Sequence, residues 1–484
     1  MRVLYVTPEI APWMKSGGLG DVSAALPAAL RAANVDVRVL VPAFQPLLAA
    51  FGSAARCLAT FAAPGGALAP ARLLAASTAQ GVPLFMVDCP EYYHRPGDAY
   101  QDQDGEDWPD NDLRFGLLSK VAALIATGHS VDWEPQILHC NDWPAALAPV
   151  YLRFATGHRV RSILTVHNLA FQGLFPAASL ARLGLPPEAM AVDGVEYYGK
   201  LSFLKGGLVC ADRITTVSPT YAREIQGEEL GCGLGGLLSG RHEVISGILN
   251  AIDTGEWNPA ADSHIASQYD SARIERKARN KAALQRVFAL PQDETIPLAG
   301  VVSRLTWQKG IDLIADIVPR LPELPAQLVV LGTGERKLVQ RLTALAQEFP
   351  RQIAFKSEFN ERLAHQIEAG ADMFLMPSRF EPCGLNQMFS LRYGTPPVVR
   401  ATGGLADTVV DCNPATLAAG TANGFVFAEP TTEALLAALV RAVGAWHDRE
   451  CWRRLQNNGM RSDFGWGPSA RRYCEVYQTA IAAA

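Results

Sequence analysis

Short apolar runs rich in β-branched residues recur along this chain, separated by stretches in which apolar positions return every three or four residues. In the first half the runs fall at 3–7, 35–41, 83–88, 136–139, 162–167 and 213–217, and each reads as a strand. Helical patterning between several of them is the alternation expected of a parallel sheet. Residues 49–79, rich in Ala, Gly and Pro, hold a weaker period and support no assignment. A polar stretch after Asn250-Ala251-Ile252-Asp253 leads into a charged helix over 271–286, which places a domain boundary at residue 253. The alternation then restarts, with strands predicted at 298–303, 327–331, 353–356, 373–376 and 397–400 and helices over 311–321, 336–349 and 364–369. The fold class is therefore α/β, with Rossmann-type domains at 1–253 and 254–462. Ligands of such sheets sit outside the carboxyl ends of the strands, so two domains facing each other would gather their loops around one cleft. In the tail, 463–484, Trp466, Tyr473 and Tyr477 recur at helical spacing, the mark of a helix docked on a domain surface, one able to cross back to the first domain.

Composition narrows the function without naming it. At 484 residues the chain exceeds one hydrophobic core, in keeping with two domains. A net charge of −5 gives no general attraction to nucleic acid or anionic lipid, and leaves a neutral polymer open as a partner. The nine cysteines are dispersed and never spaced as CxxC, which argues against a disulfide framework or a cysteine zinc site and for a reducing compartment. A core strand follows Met1 almost at once and no apolar run reaches membrane-spanning length, so the expectation is a soluble cytoplasmic protein.

Candidate chemistry sits where strands end. Between the first strand and a helix opened by Asp21, with Val22, Leu26 and Leu30 on its apolar face, lie Lys15, Gly17, Gly18 and Gly20. Backbone N–H groups, a helix N-terminus and an ammonium suit a phosphate; an ordinary tight turn with a solvated lysine is the alternative. In the second half, Arg304 and Lys309 bracket the end of a strand and the start of a helix, a pair suited to a diphosphate unless both are plain surface cations. Glu381 follows another strand end, ready to accept bonds from sugar hydroxyls or to complement a helix dipole. The Gly403-Gly404 turn offers N–H groups that could face the same anion, whereas Gly332-Thr333-Gly334 reads as a plain turn and Cys383 as packing. His139, Asp142, His167 and Asn168 close two first-half strands; no ligand spacing there supports a metal, and His139 reads as structural.

Six segments, KSGGLGDV, TVHNLAFQG, VSPTYAREI, SRLTWQKG, PSRFEPCGLNQ and ATGGLADTV, occur in one order from the first strand to about Trp466. Together they resemble bacterial glycogen synthases and the related plant starch synthases. The resemblance implies the GT-B fold, two Rossmann-like domains with parallel sheets facing an interdomain cleft. It also implies retaining transfer of glucose from ADP-glucose to the non-reducing end of an α-1,4-glucan, with no metal and no cofactor beyond the donor. By matched position, Arg304 and Lys309 would bind the leaving diphosphate, Glu381 the donor sugar or ribose, and Lys15, Gly17 and Gly18 the donor phosphates and glucose. His167 would lie near the glucose 6-hydroxyl. Asp21, Asn168, Asn250, Cys383, Gly384, Leu385, Thr402, Gly403 and Gly404 join the binding set, Tyr93 and Asp142 fall on the sugar or acceptor side, and Phe359 is placed to stack on adenine.

Some positions depart from the family pattern. Ser16 stands where threonine is common, Asn141 where a histidine often precedes Asp-Trp, Asn386 for a common threonine, and Phe389 where many retaining GT-B enzymes carry a second glutamate. A covalent mechanism would need two carboxylates flanking the bond, and no persuasive pair is visible. The resemblance implies instead same-face attack in which the leaving phosphate helps remove the acceptor proton. Lys309→Ala should then lose at least about tenfold in activity while folding normally. Two other readings stay open: a sucrose- or trehalose-forming GT-B transferase using UDP-glucose, and a sugar-binding protein without turnover.

Overall fold

The computed structural model describes residues 1–128, 131–157 and 159–483. The first unit, Met1–Asn250 joined by the chain from Trp466 onward, is built on strands β1 (Arg2–Val6), β2 (Asp36–Pro42), β3 (Arg56–Phe61), β4 (Ala71–Ser77), β5 (Pro83–Asp88), β6 (Ile137–Asn141) and β7 (Arg161–Val166). A small antiparallel sheet of β8 (Leu174–Pro176), β9 (Glu196–Tyr197) and β10 (Lys200–Ser202) intervenes before β11 (Arg213–Thr216) and β12 (Ile245–Gly247) rejoin the main sheet. Its order is β12-β11-β7-β6-β1-β2-β5-β4-β3, parallel from β12 to β5 and antiparallel beyond. The two antiparallel strands come from 49–79: β3 is mostly exposed or half-buried, so no clean apolar period marks it.

Strand order places the site. The chain leaves β1 for β2 on one side and reaches β6 on the other, so the loops after β1 and β6 diverge at a switch point, where α/β sheets take their ligands. The helix after β1 spans Gly18–Ala32, three residues earlier than the sequence indicated. Gly17 is its extended N-cap, and Asp21 sits inside the first turn, where a carboxylate complements the helix dipole. The C-terminal helix, Trp466–Ala482, packs on Gly18–Ala32 and buries Tyr473 and Tyr477. Tyr477 Oη lies 2.7 Å from His139 Nδ1, and Thr165 Oγ1 2.6 Å from Nε2.

The second unit, Ala251–Gly465, carries β13 (Leu298–Val302), β14 (Gln327–Leu331), β15 (Ile353–Lys356), β16 (Met373–Met376), β17 (Pro397–Arg400) and β18 (Phe425–Phe427). All pairs are parallel in the order β15-β14-β13-β16-β17-β18. Alternate residues feed two cores: Leu328 and Val330 pack into one, Val329 and Leu331 into the other. Coverage of both faces explains why these strands read as unbroken apolar runs. The switch point lies between β13 and β16, the strands preceding Arg304 and Glu381. The charged helix is shorter than expected, Lys277–Val287 after a 3₁₀ turn, and the helices Thr432–His447 and Arg449–Arg461 complete the unit.

Burial fixes how His139 titrates. Removed from solvent, its imidazole is pushed down to about 3, against about 6.5 in an unfolded chain. The unfolded chain therefore binds a proton that the folded one refuses between these values; this contribution to stability is complete above pH 6.5 and lost as pH falls below it. His139→Gln, which keeps a donor and an acceptor, should flatten the acid loss of stability by up to about 1.4 kcal/mol per pH unit in that window. Chemical denaturation from pH 7 to 4 checks this; parallel profiles for the two proteins would refute it.

Candidate active site

In the first unit the loop after β1 is organised by a residue the sequence reading passed over. Buried Glu9 accepts the backbone N–H of Ser16 at 2.7 Å and of Gly17 at 3.2 Å on Oε2, and the Tyr100 hydroxyl at 2.6 Å on Oε1. Burial pushes its carboxyl up, and these donors pull it back. The N–H of Gly17, expected to meet a phosphate, is thus already occupied by a side chain of the protein. Lys15 Nζ pairs with Asp21 at 2.7 Å, both half-exposed, so a bound anion would compete with Asp21 for the ammonium. Glu9 lies six residues before the KSGGLGDV segment; an acid two residues past the strand predicted at 3–7 was the available signal.

The ends of β6 and β7 are tied together. Asp142, at φ +54°, accepts the N–H of His167 at 2.6 Å and of Asn168 at 3.4 Å through Oδ1. Loss of solvent pushes its carboxyl up to about 7. One oxygen of a residue placed on the sugar side therefore holds backbone. Asn141 Nδ2 donates to the Val6 carbonyl, which turns Oδ1 toward His167 Nε2 at 3.0 Å. Burial pushes His167 down to about 3, so the ring is neutral, donates from Nε2, and keeps its Nδ1 lone pair as an acceptor. The departure at Asn141 thus sets the tautomer of His167. Asn168 Oδ1 accepts the N–H of Ala170, while Asn250 Oδ1 is buried with no hydrogen-bond partner among the described residues. Tyr93 does not join the site: its ring is fully buried and its hydroxyl donates to the Arg114 carbonyl at 2.6 Å, because the short helix Pro90–Tyr93 turns it into the core.

In the second unit the structure brings Lys309 and Glu381 together. Nζ lies 2.5 Å from Glu381 Oε2, to which Ser378 Oγ also donates at 3.0 Å, and Glu381 is 5 % exposed. The two loops are laced by Arg379, whose N–H donates to the Gln308 carbonyl and whose guanidinium binds Asp312 through both nitrogens at 2.7 Å. Gly310, at φ +66°, makes this approach feasible; a Cβ there would stand 2.2 Å from the Pro377 carbonyl oxygen. Arg304 is exposed and its side chain forms no hydrogen bond or ion pair among the described residues. Ser378 and Arg379 went unremarked in the sequence although they stand three and two positions before Glu381.

The Gly403-Gly404 turn, expected to offer N–H groups to an anion, has one of them already spent on the backbone. Gly404 N–H donates to the carbonyls of Glu381 and Pro382, and a Cβ on Gly403 would lie 1.9 Å from the Glu381 carbonyl oxygen. The pair lets the backbone of helix Gly403–Thr408 press against 381–383, with Thr402 and Cys383 buried beside it. Gln387 Nε2 donates to the carbonyls of Cys383 and Gly384, and Leu385 caps the helix Asn386–Arg392. Asn386 donates to the Val302 carbonyl, binding that helix to the end of β13. Phe359 is 84 % exposed, an uncovered ring. Phe389 stacks on Trp257 at 3.7 Å.

Residues 2–240 match the family model described as the starch synthase catalytic domain, and 285–459 that of glycosyl transferases group 1. The glycogen synthase of Dechloromonas aromatica is 55 % identical over 100 % of this chain and 99 % of its own, and that of Nitrosomonas europaea 53 % over 98 % and 97 %. Among solved structures, the catalytic domain of starch synthase IV from Arabidopsis thaliana, bound to ADP and acarbose, superposes with a TM-score of 0.87 at 32 % identity over 99 % of each chain. A sucrose-phosphate synthase from Thermosynechococcus elongatus, at 17 % identity and a TM-score of 0.59, shares the fold. With near-complete coverage at half identity, and a two-domain GT-B architecture of parallel sheets, the chain belongs to the glycogen synthase family of glycosyltransferases.

Proposed function

We propose that this protein transfers glucose from ADP-glucose to the non-reducing end of an α-1,4-glucan with retention of configuration, extending glycogen. The observation that carries the reading is the Lys309–Glu381 pair at the second sheet's switch point, in the family's matched segments. Cleaving a glucosyl–phosphate bond leaves positive charge on the sugar and negative charge on departing ADP. Lys309 and the exposed, unengaged Arg304 are the cations for the diphosphate; Lys309, fixed by Glu381 before the reaction, needs little reorganisation as charge develops. Glu381 keeps its second oxygen for a hydroxyl of the donor. Neutral His167 accepts a hydrogen bond from a sugar hydroxyl at Nδ1, and Asn250 Oδ1 is a second unspent acceptor. With two cations against the diphosphate, the transfer itself needs no cofactor, and a neutral glucan suits a chain without a basic surface excess.

ADP in the starch synthase IV structure supports the donor nucleotide. No helix among the described residues is long and apolar enough to cross a membrane, and a cytoplasmic enzyme is part of the reading. Incorporation of labelled glucose into glycogen from ADP-glucose and UDP-glucose in parallel tests it. The expected result is glucan growth with ADP release and a strong preference for ADP-glucose. A soluble disaccharide from UDP-glucose would favour the sucrose- or trehalose-forming alternative, and binding without turnover would end both.

A further inference from the structure

The second unit holds a cluster outside the residues discussed so far. Glu361 and His365 stand one turn apart on the same face of the helix Glu361–Gly370, and Glu256 approaches from the turn at 254–257. One carboxylate oxygen from each glutamate and one imidazole nitrogen lie within 4.8 Å of one another. Neither glutamate has a lysine or arginine partner among the described residues, and both stand at exposed positions. Two acids crowd together here beside a single histidine.

The histidine is built differently from a packed core residue. It is 2 % exposed, and its Nδ1 lies 2.8 Å from Asp262 Oδ2, which also accepts the Tyr393 hydroxyl at 2.6 Å. With the Asp262 oxygen accepting from Nδ1–H, the lone pair lies on Nε2, and Nε2 has no hydrogen-bond partner among the described residues. Trp257 stacks face to face on the imidazole at 3.9 Å and 10°, with Phe389 against its other side, which fixes the ring plane. A carboxylate behind a histidine whose far nitrogen is unspent is the arrangement that orients metal-ligating imidazoles.

We infer that Glu256, Glu361 and His365 bind a divalent transition-metal cation of the zinc class. One nitrogen and two carboxylate oxygens favour zinc, cobalt or manganese over calcium and magnesium, which prefer all-oxygen shells, and leave a fourth position for water. The ion ties the 254–257 turn to the helix bearing Glu361. None of its three ligands belongs to the transfer chemistry, so its role is structural.

Cobalt titration of the full chain, freed of metal by chelation and dialysis, tests this through its visible spectrum, with thermal unfolding alongside. One equivalent of Co²⁺ should bind with an oxygen- and nitrogen-type spectrum, raise the Tm, and be displaced by Zn²⁺. Glu361→Gln and Glu256→Gln, both at exposed positions, should fold like the wild type in chelator yet weaken Co²⁺ binding by at least about tenfold, whereas Glu348→Gln should leave it unchanged. Binding absent at millimolar Co²⁺, binding indifferent to both cluster variants, or a thiolate charge-transfer band marking a cysteine site would each overturn the inference.

Discussion

Lys309→Ala is expected to reduce kcat at saturating ADP-glucose by a hundred- to a thousand-fold, the loss that follows removal of one preorganised donor worth about 3–4 kcal/mol in the transition state. The sequence alone anticipated normal folding for this variant, and the structure revises that. Glu381 is almost wholly buried, and without the ammonium 2.5 Å away its carboxylate keeps, among the described residues, the Ser378 hydroxyl alone. Stranding a buried charge costs on the order of 3 kcal/mol, the low end of the range because Lys309 retains some solvent contact. The variant should thus lose both turnover and stability. Adding Glu381→Gln separates the two, because an uncharged partner removes the stranded carboxylate: stability should recover in chemical denaturation while turnover stays low. Wild-type turnover in Lys309→Ala would sink the diphosphate role, and unchanged stability would show that Glu381 finds another partner.

Gly403→Ala carries the second large effect, and it acts through packing. The residue sits at φ +42°, which costs an L-residue about 1–2 kcal/mol, and its new Cβ would meet the Glu381 carbonyl oxygen at 1.9 Å. Neither atom belongs to a flexible side chain, so the helix Gly403–Thr408 or the segment 381–383 must move. A total loss of roughly 3 kcal/mol or more follows, in the range reserved for strained backbone and overpacking. Because the displaced carbonyl belongs to Glu381 itself, the KM for ADP-glucose should rise together with the loss of Tm. Wild-type KM and Tm would show that the close approach at this turn is dispensable.

Much of the fold was legible because burial leaves a periodic trace. Parallel strands covered on both faces, such as β14 and β16, read as unbroken apolar runs, and their predicted bounds coincide with the observed ones. The edge strand β3 and its antiparallel neighbour β4 did not, since half-solvated residues carry a weaker trace. The site divides the same way. That Lys15, Arg304, Lys309 and Glu381 would stand at strand ends followed from the pattern, and the six ordered segments carried the family.

What each of these groups touches was decided in three dimensions. Lys309 and Glu381 are 72 positions apart and meet because β13 and β16 are neighbours at a switch point, an adjacency no local window contains. Glu9 occupies the N–H of Gly17 eight residues on, Tyr93 turns inward onto Arg114, and Gly403 presses against the backbone of Glu381, each through partners outside its own turn. Side-chain type and spacing by themselves determined which elements form, how they alternate and which end of the sheet bears the reactive groups. The tertiary structure alone settled which charges are paired, which hydrogen-bonding atoms remain unspent and which glycines are sterically required, because these are properties of contacts between segments, and contacts depend on strand order.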